Sequence, residues 1–169
     1  CYTGCKLTFM LMGGSSLIFF VFGGFYFLIV SSTMNILAIA PNNMVPAYVQ
    51  IILFPFVYIE DYVEIGDDCV IFPFVSIMNG SKIGPGNKIH QGTVIGALPQ
   101  DFSFRGERSE VLIGENNIIR ENVIINRATH EGCQTVIGNS NMLMEGVHIS
   151  HDTKIGDYNV FGYGTKIAG

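Results

Sequence analysis

From Leu53 to the end of the chain, large apolar residues return at every sixth position. The series runs Leu53, Ile59, Ile65, Ile71, Ile77, Ile83, Ile89 and Ile95, resumes in phase at Ile113, Ile119 and Ile125, and continues through Ile137, Leu143, Ile149, Ile155, Phe161 and Ile167. Of the twenty positions on this grid seventeen are large and apolar; the exceptions, Asp101, Glu107 and Glu131, fall in polar stretches that read as loops. Two residues before most grid positions stands a small or β-branched side chain: Val57, Val63, Cys69, Val75, Ser81, Thr93, Val111, Val123, Thr135, Val147, Thr153 and Thr165. Glycine often follows directly, as at Gly66, Gly84, Gly96, Gly114, Gly138, Gly156 and Gly162. No helical period fits this, and plain alternation would not hold large aliphatics six apart over so long a stretch.

The pattern predicts an all-β fold, a parallel β-helix of hexapeptide repeats. Each hexad is a short strand and a corner, and three hexads close a triangular coil of 18 residues. The aliphatic of each hexad points inward and stacks on its counterpart one coil away, contributing roughly 1.5–3 kcal/mol when fully buried. The small side chain faces inward near the corner, and the glycines are expected to supply corner backbone angles that other residues resist. Residues 53–169 hold about six coils. The period itself leaves handedness open. Residues 97–110 replace two hexads, and residues 127–134 part of one, without shifting the phase. Both read as loops leaving a rigid scaffold at a corner, where sites tend to lie.

Upstream the pattern changes. Residues 7–30 are an apolar run broken by Gly-Gly and Ser-Ser, and between Leu7 and Ile59 there is no charged residue. The run is long enough to span a bilayer, which takes about 20 residues. Three readings stand for residues 1–33: a membrane segment flanked by Lys6, a buried segment, or translation from upstream sequence with Met34 as the true start, since the chain begins with Cys. Residues 34–52 form an ambiguous first coil, with Pro41 and Pro46 opposing a long helix. The β-helix domain then occupies 53–169.

Composition narrows the function. Nine Lys and Arg against fourteen Asp and Glu give a net charge of −5 with no basic run, which excludes a generic nucleic-acid binder. With 49 % hydrophobic and 14 % charged residues, the chain is not disordered. Of the four cysteines, Cys1, Cys5, Cys69 and Cys133, Cys69 occupies an inward position and reads as a small buried hydrophobe. The four histidines are His90, His130, His148 and His151. Two of them share the stretch Met144–Asp152. Ile149 is on the grid, so His148 faces outward, and His151 lies near a corner. An imidazole suits general-base work at neutral pH. Asp152 could hold its tautomer, though neighbouring strand side chains diverge and the pairing requires a bend. Gly169 follows His151 by 18 residues and so lies one coil beyond it, about 5 Å away. Its N–H could face an oxyanion formed beside that histidine.

Three segments, 89–107 (IHQGTVIGALPQDFSFRGE), 118–129 (IIRENVIINRAT) and 142–156 (MLMEGVHISHDTKIG), resemble the acyl-[acyl-carrier-protein]–UDP-N-acetylglucosamine O-acyltransferases of lipid A biosynthesis. The PQD loop, the INR-T strand and the H-x-x-H-D coil stand in that family's order and spacing. The resemblance implies a left-handed parallel β-helix, a cytoplasmic homotrimer with sites at subunit interfaces, and transfer of an (R)-3-hydroxyacyl chain from acyl carrier protein to the 3-hydroxyl of UDP-N-acetylglucosamine. It implies no metal and no cofactor beyond the carrier-borne thioester. Carried over by position, His151 is the general base, Asp152 its support and Gly169 the oxyanion glycine, while Gln100, Asp101 and His148 contact substrate.

Ser103 departs from the family, which often has Lys there, and puts one charged substrate contact in question. Later coils and the C-terminal helical domain expected to help bind the carrier lie beyond Gly169, so the chain is expected to be a fragment, inactive alone. Two other enzymes on this scaffold are alternatives. One is the N-acyltransferase of the same pathway. The other is a zinc γ-carbonic anhydrase-like enzyme with His90, His148 and His151 as ligands.

Overall fold

The computed structural model describes residues 56–169 in full, together with the strand backbone of 6–12, 15–22, 25–31, 35–39 and 52–53. Beyond the first strands, the described chain winds through three parallel sheets. The first face stacks Ile52–Leu53, Val70–Ile71, Lys88–Ile89, Ile118–Ile119, Met142–Leu143 and Val160–Phe161. The second stacks Tyr58–Ile59, Ser76–Ile77, Val94–Ala97, Ile124–Asn126, His148–Ile149 and Lys166–Ile167. The third stacks Glu64–Ile65, Ser81–Ile83, Glu110–Ile113, Gln134–Ile137 and Lys154–Ile155. We number the corners in chain order: the first joins the first and second faces, the second joins the second and third, and the third closes the coil.

The six-residue grid is the core. Ile71, Ile77, Ile89, Ile95, Ile119, Ile125 and Ile149 are fully buried, each paired in register with its counterpart one coil away, as Ile77 with Ile95 and Ile125 with Ile149. Ile59, Ile65, Phe161 and Ile167 at the two ends of the described coil are partly buried against it. Ordinary coils pair residues eighteen apart, as Ser76 with Val94. Across the first excursion Val94 pairs with Ile124, and across the second Ile124 pairs with His148. Those separations exceed eighteen by two hexads and by one. Both excursions therefore preserve inward and outward faces, because whole hexads have been replaced.

The glycines differ from expectation. Positive φ belongs mostly to the third residue after the grid position; of the glycines directly after the grid, Gly96, at φ +78° where the first excursion begins, takes it as expected. The left-handed corners are Phe56, Tyr62, Asp68, Phe74, Gly80, Gly86, Gly92, Asn116, Asn122, Ser140, Gly146, Asp152, Tyr158 and Gly164. On the third face Gly66, Gly84, Gly114 and Gly138 are required by close approach instead. A Cβ on Gly66 would lie 2.6 Å from the Pro85 nitrogen, and one on Gly84 or Gly138 would lie 2.7 Å from a carbonyl oxygen of the next coil.

The third corner is closed by a ladder of asparagines in the inward column that begins with Cys69. Asn87, Asn117 and Asn141 are buried, and each carboxamide oxygen accepts the backbone N–H of the next rung, at 2.8 Å from Asn117, Asn141 and Asn159 in turn. The amide groups donate to nearby oxygens, as Asn87 Nδ2 to Gly114 at 2.8 Å and Asn117 Nδ2 to Gly138 at 3.0 Å. Cys69 Sγ donates to the Gly84 carbonyl at 3.3 Å, and burial pushes its thiol up from the ordinary range.

In the N-terminal region, Lys6–Met12, Ser15–Phe22, Phe25–Ser31 and Asn35–Ile39 form an antiparallel sheet in sequence order, with Lys6 opposite Val21, Ser16 opposite Ser31 and Tyr26 opposite Ile39. Among the described residues no helix is long and apolar enough to cross a membrane. Cys1, Cys5, Met34, Pro41 and Pro46 lie outside the described residues.

Candidate functional site

Both excursions leave at the second corner, and the next coil turns that corner with His151 and Asp152. Three successive layers therefore converge on one edge. The first excursion opens with Pro99, Gln100 and Asp101. The second runs from Arg127 to Cys133. They brace each other: Arg108 N donates to a Glu131 carboxylate oxygen at 2.7 Å, Gly132 N donates to the Arg108 carbonyl at 2.9 Å, and Ser109 Oγ donates to the Ala128 carbonyl. The Arg127 guanidinium lies 5.4 Å from the centroid of Phe104, which ties the first excursion to the base of the second.

The bend that a His151–Asp152 pair requires is present. Asp152 sits at φ +58°, the left-handed corner residue of its coil, and this turns its carboxylate back toward the preceding imidazole. His151 Nδ1 donates to Asp152 Oδ2 at 2.8 Å. The same carboxylate accepts from Thr129 Oγ1 at 2.6 Å and from Thr129 N at 3.3 Å to either oxygen. Asp152 N donates to Thr135 Oγ1 at 2.9 Å, which fixes the backbone of the turn. Burial pushes the Asp152 carboxyl up, but the hydrogen bonds from Thr129 and His151 outweigh it and hold the group below the usual carboxylate range. An ionised carboxylate only accepts, so Nδ1 carries the proton and Nε2 is left with a lone pair. That nitrogen points toward Asp101 Oδ2, 3.9 Å away. Hydrogen bonds from Ser103 hold the Asp101 carboxyl below the usual carboxylate range, with the nearby His151 and His130 imidazoles acting in the same direction.

Gly169 lies where the period puts it, one coil beyond His151. A Cβ there would come within 2.8 Å of Nδ1 and Cε1 of the His151 ring and closer still to the His151 carbonyl oxygen. Only a glycine allows that approach. His148 is a neighbour with different partners: its Nε2 donates to Asn126 Oδ1 at 2.6 Å, and Asn126 Nδ2 donates to the Leu98 carbonyl at the root of the first excursion at 2.6 Å. Burial, with Lys166 nearby, holds His148 below the ordinary imidazole value. Gln100 is exposed beside Asp101.

Not every sequence candidate joins this site. His90, which the carbonic anhydrase-like alternative grouped with His148 and His151, lies at the first corner. It stacks on Phe72 with ring centroids 4.5 Å apart and faces Glu121 at 3.4 Å. Among the described residues no three His, Cys, Asp or Glu side chains converge as a metal set. Conversely, Thr129, Thr135 and Asn126 were not singled out as site residues. Thr135 was legible only as a small inward residue, and Thr129 and Asn126 only as letters of the INR-T motif.

Comparison with known proteins places this geometry. The bacterial transferase hexapeptide (six repeats) family pattern matches residues 62–97 and 134–169. The acyl-[acyl-carrier-protein]–UDP-N-acetylglucosamine O-acyltransferase of Synechocystis is 51 % identical over 61 residues, covering 36 % of this chain and 22 % of that protein. The UDP-N-acetylglucosamine acyltransferase of Bacteroides fragilis superposes with a TM-score of 0.62 at 45 % identity, over 69 % of this chain and 53 % of that one. This chain is similar in sequence and fold to UDP-N-acetylglucosamine acyltransferases. The Arabidopsis enzyme of that name matches at 31 % identity with a TM-score of 0.63, over 72 % of this chain and 50 % of that one. The fold is the left-handed parallel β-helix of hexapeptide repeats. The chain spans about half the length of these two solved relatives and less of the curated one.

Proposed function

We propose that this protein transfers an (R)-3-hydroxyacyl group from acyl carrier protein to the 3-hydroxyl of UDP-N-acetylglucosamine, the first step of lipid A biosynthesis, as a cytoplasmic homotrimer. The names of its relatives support the reaction class and both substrates. The observation that carries the reading is the His151–Asp152 pair, closed at 2.8 Å on Nδ1 with Nε2 left toward Asp101. Nε2 takes the proton from the sugar 3-hydroxyl as its oxygen attacks the thioester carbonyl. The carbonyl oxygen becomes an oxyanion beside Gly169, whose N–H stabilises it. Collapse expels the carrier thiolate, and the imidazolium returns the proton to that sulfur. Asp152 stabilises the imidazolium without taking its proton. Gln100, Asp101 and His148 line the approach and orient the sugar.

The test is an acyl-transfer assay of the protein extended past Gly169, with 3-hydroxyacyl carrier protein and UDP-N-acetylglucosamine, and with the acylated position read by mass spectrometry. The expected product is the 3-O-acyl sugar nucleotide. His151→Ala lowers its rate by about 10³-fold, within the range of general-base contributions. An amide product, or none from a folded protein, would overturn the proposal in favour of an N-acyltransferase or another hexapeptide enzyme.

A further inference from the structure

Thr129 lies outside the sequence-derived site, yet it makes the strongest contacts to the group behind the base. It is 3 % exposed and sits on the second excursion, one coil before His151. The other threonine hydroxyls of the described coils engage backbone groups: Thr93 and Thr165 donate to carbonyls, Thr153 lies near two carbonyls, and Thr135 accepts the Asp152 N–H. Among the described residues Thr129 is the threonine whose hydroxyl donates to a carboxylate. A threonine serving only to fill the corner has no need of that partner. Its own position is set independently of the His151 coil, through the Ser109 hydroxyl on the Ala128 carbonyl and the Arg108–Glu131 and Gly132–Arg108 bonds.

We propose that Thr129 is a positioning residue for the general base: it holds the Asp152 carboxylate aimed at Nδ1 of His151 and so fixes the tautomer whose Nε2 accepts the substrate proton. The proposal rests on the acyltransferase reading for its consequence in turnover, though not for the tautomer itself. Three donors share the carboxylate, two from Thr129 and one from His151, and all three reach Oδ2, the Thr129 N–H being shared with Oδ1. Removing the hydroxyl leaves Asp152 with the bifurcated Thr129 N–H and the imidazole alone. The carboxylate then swings about its own torsion, and His151 loses the acceptor that keeps Nδ1 protonated. The ionisable groups around this unit are Asp152 and His151 on the turn, Asp101 on the first excursion, and His130 on the second, which acts on Asp101.

The experiment compares wild type with Thr129→Val, Thr129→Ser and, as a reference, Asp152→Asn. The nitrogen-15 shifts of the His151 ring report its tautomer in the full chain. The wild type and Thr129→Ser should show the Nδ1–H form. Thr129→Val should show a mixture with the Nε2–H form and a kcat lower by about 10-fold, with KM little changed. Unchanged ring shifts and an unchanged kcat in a folded Thr129→Val variant would overturn the proposal. Should that variant fail to fold, a wild-type Asp152 carboxyl carbon that titrates in the ordinary range would overturn it instead. The two readings fail separately: a wild type without acyl transfer overturns the proposed reaction, while the tautomer shift still decides the role of Thr129.

Discussion

The second and third corners of the same coil handle buried polarity in opposite ways. At the third corner the polar groups are asparagines one coil apart, and each carboxamide is consumed by the backbone of its neighbours. At the second corner the polar groups are His151, Asp152, Asp101 and Thr129, drawn from three layers; Thr129 is buried, while the three titratable groups are left partly open to solvent. The ladder repeats because every rung has the same task. The second corner cannot repeat, because each layer supplies a different group: a carboxylate on a loop, a hydroxyl on another, an imidazole at the turn. One scaffold thus separates the edge that fixes its register from the edge that is free to carry chemistry, and substitutions at the two edges should separate in the same way.

Gly169→Ala should have the largest effect at the open edge. The new methyl would meet the His151 ring inside van der Waals contact, so ring or backbone must move. A displacement of an ångström at a reacting group can cost about 10²-fold, and we expect that order of loss in kcat with the urea midpoint close to wild type. An alanine variant of full activity would show that the close approach at this layer is packing alone. Asn117→Ala should do the reverse. It leaves the Asn141 N–H and the Gly138 carbonyl without their side-chain partner inside the coil, which costs about 2–3 kcal/mol in chemical denaturation. The kcat of the folded fraction should stay within about twofold of wild type, since nothing at the second corner touches the ladder. Equal damage to activity and stability from either substitution would break the contrast.

How much of this was legible in the sequence follows from what a period can encode. A six-residue grid specifies which side chains point inward and which residues stack, so the core, the parallel register and the layer that sets Gly169 against His151 could all be read by counting. The phase also survives the excursions, because they replace whole hexads. The pairing of His151 with Asp152 was legible except for its bend. The reason for the bend was hidden, because positive φ falls on the third residue after the grid and tolerates Phe56, Tyr62 and Asp152 as well as glycine. Counting glycines therefore pointed to the right position at Gly96 but to the wrong one on the third face: Gly66, Gly84 and Gly138 respond to contact between coils, a tertiary cause that no local signal reports. The asparagine ladder interrupts the column of small residues at Asn87, Asn117, Asn141 and Asn159, and its spacing in space appears only once the excursions are removed. Thr129 was the least legible. It reaches Asp152 from a loop, twenty-three residues away, and loop geometry carries no period.

The smallest effect is a pH dependence, and the rungs of the ladder should not share in it because asparagine does not titrate. Burial holds His90 and His148 below the ordinary imidazole value, with Arg120 and Lys166 respectively acting in the same direction and Glu121 opposing it at His90. The unfolded chain then binds protons first, near pH 6.5, so the stability tied to these two neutral rings is complete above that value and declines as pH falls through it toward their folded values. The carboxylates act lower. Asp152, Glu110 and Glu121 are held below their ordinary values, by the hydrogen bonds of Thr129, Lys82 and Arg120 respectively, and what they add is complete above about pH 4.5 and lost beneath it. Urea midpoints should therefore drop between pH 7.5 and 5.5 by less than Asn117→Ala lowers them at either pH. His148→Asn should flatten that drop, whereas Asn117→Ala should shift both midpoints together. A wild-type midpoint that does not move between those two pH values would mean that the histidines are solvated in the folded chain, and that the open edge is not drier than the water around it.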